Sequence, residues 1–169
     1  MKRIFVIVIG LLIISFSFMQ CRKGLPNDKI NTYASLGIST KILNAVDSLY
    51  KEKQTKFITI TFFSVNDSNF VSFVNSAIMA SIGSIPIFDR PNFAGYKELK
   101  SSECLFFWKS CDGSIFERFV QKDSLNKDES RFNTLIKTDA NTGQVIDLTK
   151  TIFYIDANDD LVFVKTEYI

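Results

Sequence analysis

A chain of 169 residues with 20 Lys and Arg, 18 Asp and Glu and 17 Phe has the length and apolar content for one domain with a modest core. It contains no histidine. That absence excludes Ser-His and Cys-His nucleophilic catalysis, histidine-bearing zinc sites and an imidazole acid or base near neutral pH.

Met1-Lys2-Arg3 precedes an apolar run over 4–19, broken only by Gly10 and serines, and Gln20-Cys21 follows it. Two positive charges before an apolar stretch are what the secretion machinery reads. The ending Phe18-Met19-Gln20-Cys21 resembles the lipid-attachment site of bacterial lipoproteins, although Met19 and Gln20 are larger than the small residues of that pattern. The resemblance implies a signal peptide over 1–20, acylation of Cys21, attachment to a membrane through the N-terminal lipid, and a place in the bacterial cell envelope. Arg22-Lys23 after the cysteine resembles lipoproteins passed to the outer membrane rather than retained at the inner one. Two other readings stay open. Ser15-Phe16-Ser17 supplies the small residues an ordinary signal peptidase prefers. An uncleaved anchor is the third reading, against which the run of 16 residues falls short of the roughly 20 that cross a bilayer core.

Loss of Lys2 and Arg3 leaves 18 basic against 18 acidic residues. A neutral chain with scattered Lys and Arg lacks the electrostatic footprint on which nucleic-acid affinity rests, so no nucleic-acid partner is expected. Segment 21–30 is polar, holds Gly24 and Pro26, and reads as a tether; 31–169 reads as one domain.

Ser39 or Thr40 can cap a helix in which Ile42, Leu43, Val46, Leu49 and Tyr50 form one apolar stripe. The run 57–63 is β-branched and aromatic throughout, as in a strand. Asn66-Asp67-Ser68-Asn69 supplies a turn, and 69–75 reads as a second strand, with a helix as the competing period. Further strands are expected at 96–99, at 103–109, and at 114–120 after an Asp112-Gly113 turn, with a loop over 122–130. An internal echo, Asp139-Ala140-Asn141 and Asp156-Ala157-Asn158, reads as two hairpin tips between strands near 134–138, 144–156 and 161–169. The expected fold is α+β, with an N-terminal amphipathic helix packed on an antiparallel, mostly meander sheet.

Cys104 and Cys111 flank a strand that would hold their sulfurs about 23 Å apart, far beyond disulfide reach, so two buried free thiols are expected unless the chain bends near Lys109-Ser110. Asp156, Asn158, Asp160 and Glu167 occupy four positions of a calcium-loop spacing, but Leu161 stands where that loop needs glycine. The strand after it would carry Glu167 about 20 Å away, so no metal is expected there and Asp156, Asn158 and Asp160 remain only a weak alternative. Ser-x-x-Lys occurs as Ser48 with Lys51 and as Ser124 with Lys127, at about the frequency chance allows. No cofactor motif is present.

Two features suit a partner-binding surface: the apolar loop 80–95, with Ile85, Ile87, Phe88 and Phe93, and Trp108 at the end of the aromatic run Leu105-Phe106-Phe107-Trp108. Core packing is the competing reading of both. The sequence therefore points to a non-catalytic binding or accessory module with an unknown protein or glycan partner. The alternatives are a small carboxylate-dependent hydrolase acting on glycans and a structural assembly subunit.

Overall fold

A computed structural model describes residues 36–53, 57–75, 87–99, 103–140 and 148–169, all within the unit Tyr33–Ile169. The expected signal peptide 1–20 and tether 21–30 with Cys21, the residues on to 35, and Ile85 lie outside the described residues. In chain order these hold α1 (Thr40–Lys53), β1 (Phe57–Val65), β2 (Ser68–Val74), a short turn of 3-10 helix (Ile87–Asp89), β3 (Phe93–Glu98) and β4 (Cys104–Ser110). There follow α2 (Gly113–Phe119), a second 3-10 turn (Lys122–Ser124), α3 (Glu129–Ala140), β5 (Thr149–Ile155) and β6 (Leu161–Tyr168).

The strands form one six-stranded sheet in the order β3-β4-β1-β2-β5-β6. β1 runs parallel to β4 and antiparallel to β2, so the sheet is mixed. This corrects the expected fold class. The described residues are mostly β-sheet with three short helices, and β4 returns beside β1 instead of continuing a meander.

Period-2 alternation separates two cores. Ile58, Ile60 and Phe62 of β1 share one face with Phe73 of β2 and with Leu105 and Phe107 of β4. Ile42, Leu43 and Val46 of α1 and Phe116 and Phe119 of α2 close that face. Phe57, Tyr96, Cys104 and Phe106 point to the other face, where Phe132 and Leu135 of α3 meet Ile87. Helices therefore cover parts of both faces, and the aromatic run of β4 feeds both cores.

Two expected strands are helices. In residues 114–120, Ile115, Phe116, Phe119 and Val120 fall at helical spacing, and the Asp112 carboxylate accepts from the Ser114 N–H at 2.9 Å as an N-cap. Phe116 then meets Phe62 edge-on, with ring centroids 5.3 Å apart at 81°. Residues 134–138 lie inside α3, which Asp128 caps through the Arg131 N–H at 3.0 Å. The first of the two hairpin tips is overturned with it, because Asp139 and Ala140 end that helix. The second is a true tip: the Asp156 carboxylate accepts from the N–H groups of Asn158 and Asp160, both at 2.8 Å, between β5 and β6.

Candidate functional site

Four of the five candidate partner-binding residues converge. Ile87 is buried, and Phe88, Phe93 and Trp108 are half-buried around Phe132 in the second core. Phe132 meets Phe88 at 5.2 Å, Phe93 at 5.9 Å, Tyr96 at 5.7 Å and Phe106 at 5.4 Å between ring centroids. Phe93 bridges onward to Trp108 at 5.2 Å, and the Trp108 Nε1 is buried with no hydrogen-bond partner. The core therefore absorbs most of this aromatic surface.

Phe88 and Phe93 do more than fill the core. They also line a cleft of about 300 Å³, together with Asp89, Arg90, Pro91, Lys109, Phe116, Glu117, Lys122 and Lys127 among others. Three separate stretches build it. The 3-10 turn and the entry to β3 supply the aromatic side, the end of β4 supplies Lys109, and α2 with the segment after it supplies Glu117, Lys122 and Lys127. The backbone fixes this junction: the Lys109 N–H donates to the Asn92 carbonyl at 2.7 Å, and Asn126 exchanges two hydrogen bonds with Tyr96 at 2.7 and 3.0 Å. Four cationic side chains against two carboxylates give the cleft a net positive lining beside aromatic rings.

These cations were not legible as a site in the sequence. Arg90, Lys109, Lys122 and Lys127 are spaced 19, 13 and 5 residues apart, and only the return of the chain through α2 brings them together. A second cavity, of about 480 Å³, is lined by Ser64, Asn66, Asp67, Asn69, Asp112, Ser114 and Ile115. Its lining offers hydroxyl and amide groups and two carboxylates but no cation.

The remaining sequence candidates have structural occupations. Lys41 donates to the Asn158 carbonyl at 2.8 Å and pairs with Asp160 at 2.7 Å. Arg118 lies 2.8 Å from Asp159 as an ion pair without the direction of a full hydrogen bond. Helix cations thus sit against the second acidic tip, while Glu167 lies along β6 beside Lys165, which holds its carboxyl below the usual range. Among the described residues no three His, Cys, Asp or Glu side chains are grouped for a metal ion. The Ser48 hydroxyl donates to the Asn44 carbonyl at 3.1 Å and Lys51 pairs with Asp47 at 2.7 Å, so that Ser-x-x-Lys pair is helix surface. Ser124 likewise donates to the Gln121 carbonyl at 2.6 Å.

Cys104 at the start of β4 and Cys111 just past its end are not joined in a disulfide, the first buried and the second half-buried. No described helix is long and apolar enough to cross a membrane.

No protein-family model, no curated protein and no solved structure matches the chain. The reading of its function therefore rests on its own residues.

Proposed function

We propose that this chain is a non-catalytic binding module of the bacterial cell envelope, held at the membrane by a lipid on Cys21, and that its cleft takes an anionic glycan. One observation carries the choice of ligand: Arg90, Lys109, Lys122 and Lys127 converge beside Phe88 and Phe93. Aromatic rings pack against sugar faces, and lysine and arginine supply donors and charge for a carboxylate or sulfate on the same sugar. The charged N-terminus, the apolar run and Cys21 support the envelope assignment.

The chain's single tryptophan contacts Phe93, which lines the cleft, and makes a natural reporter. Titration of the full chain with a uronic-acid oligosaccharide should change Trp108 fluorescence, with affinity falling as salt rises. Reversal of two cleft cations, Lys109→Glu with Lys127→Glu, should abolish that response while the fold is kept. An unchanged response in the double variant would sink the glycan reading. For the anchor, mass spectrometry of the mature N-terminus should find an acylated cysteine, whereas a chain starting at Phe18 overturns it.

Asp89 and Glu117 line the same cleft and keep a hydrolytic reading in play. Cleavage of the oligosaccharide that Asp89→Asn or Glu117→Gln removes would replace the binding module with a carboxylate hydrolase.

A further inference from the structure

The two edges of the sheet are finished differently. Outside β3, Asn126 forms a bridge with Tyr96, and the strand is irregular between Phe93 and Gly95, both of which interrupt a free edge. Outside β6 lies no described strand. Val162, Phe163, Val164, Tyr168 and Ile169 are all between 47% and 80% exposed there.

The direction of the backbone along that edge follows from one hydrogen bond. The Ile169 N–H donates to the Leu148 carbonyl at 3.0 Å, and the β5–β6 register continues unshifted from Tyr168 to Lys165. Alternate residues of an antiparallel ladder turn both backbone groups to one side. Ile169, Glu167 and Lys165 therefore face β5, and Tyr168 and Thr166 present N–H and C=O to the open edge.

The side chains of that edge are self-complementary. About Thr166, the segment Val164-Lys165-Thr166-Glu167-Tyr168 is complementary to its own reverse. Lys165 mirrors Glu167 and Val164 mirrors Tyr168. We propose that β6 pairs antiparallel with β6 of a second copy of this chain, on a two-fold axis through Thr166, so that one sheet continues across both copies. A two-fold perpendicular to the sheet keeps opposed residues on one face, which allows only axes centred on a residue. In this register each lysine opposes a glutamate, and Val164 opposes Tyr168. Moving the axis by one residue sets Lys165 against Lys165, or Glu167 against Glu167. Charges on an edge ordinarily discourage pairing; here they favour the Thr166 axis over its two neighbours. Lys165 and Glu167 already share one sheet face, 2.5 Å apart within the chain, so the exchange needs no change of face.

Sedimentation of the full chain in mild detergent, over a range of concentrations, tests the pairing. The unmodified chain should reach the mass of two copies. Lys165→Glu and Glu167→Lys, made singly, should each weaken self-association about tenfold or more by placing like charges opposite at two symmetric positions. The two together should restore it. Thr166→Pro removes an N–H that points away from β5, so it should give a single copy with an unchanged circular dichroism spectrum. A single-copy mass at every concentration, or a dimer indifferent to the single reversals, or one that the double exchange fails to restore, overturns the proposal.

Discussion

The hydroxyl of Tyr96 donates to the backbone carbonyl of Asp128 at 3.0 Å, tying β3 to the N-terminus of α3 from a fully buried ring. Burial, with the Asp128 carboxylate as the next cause, pushes the Tyr96 hydroxyl up to about 12 from a usual value of 10.0. A group whose folded pKa is raised contributes stability that is fully present below its unfolded pKa and is lost as pH rises toward the folded one. Stability should therefore fall between about pH 10 and 12 through this residue. Tyr96→Phe should remove that alkaline limb and cost about 1 kcal/mol at neutral pH, because the Asp128 carbonyl loses its partner. Urea melts of both proteins across that pH range check it.

Phe132 is the ring on which the second core turns. It is buried and touches Phe88, Phe93, Tyr96 and Phe106. Phe132→Ala should destabilise by about 3–5 kcal/mol, a large share of a single domain's stability. It should also quench or shift Trp108 emission, since Phe93 would lose its support. An unfolding midpoint close to the parent's would show that the cluster is cosmetic.

Gly95 allows Asn126 to approach β3. Its φ is +134°, and a Cβ there would meet the Asn126 carbonyl oxygen at 2.9 Å and the Leu125 side chain at 3.0 Å. Gly95→Ala should cost about 1–3 kcal/mol through backbone strain and the displaced bridge. Amide exchange should show the damage first at Tyr96 and Asn126, whose mutual hydrogen bonds depend on that approach.

The two described thiols should differ in reactivity. Burial raises the Cys104 thiol far above its usual pKa, and it raises Cys111 too, but Cys111 is half-buried and Lys109 partly opposes the shift. Less thiolate and no access make Cys104 inert in the native fold. Alkylation followed by peptide mass spectrometry should label Cys111 slowly and Cys104 only after denaturation. Equal labelling of both in the native protein would contradict this packing.

Several elements were legible because their signal is local. Phe57-Ile58-Thr59-Ile60 can hardly be anything but a buried strand, and Asp156-Ala157-Asn158 announces its turn through a carboxylate placed to cap its own backbone. Residues 114–120 carry helical spacing, with Ile115, Phe116, Phe119 and Val120 at i, i+1, i+4 and i+5, but Asp112-Gly113 before them also reads as a hairpin turn. What settles them is Asp112 as a cap and the edge-on contact of Phe116 with Phe62, a residue far away in sequence. The same holds for α3, whose Phe132 is buried only because β3 and β4 stand beneath it. For the candidate site, Phe88, Phe93 and Trp108 stood out by type, but nothing marked Lys109, Lys122 or Lys127 as their neighbours.

By itself the sequence determined the exclusions and the local grammar: no imidazole chemistry, balanced charge after the first residues, and strands wherever β-branched and aromatic residues run together. Composition and periodicity are properties of adjacent residues, so they survive without knowledge of the fold. Only the tertiary structure decided that β4 lies parallel beside β1, that helices replace two expected strands, that four cations share a cleft with two phenylalanines, and that β6 is left with an open edge. Each of these depends on which distant segments meet, and that choice is made by burial of the whole chain at once, where no local pattern can reach.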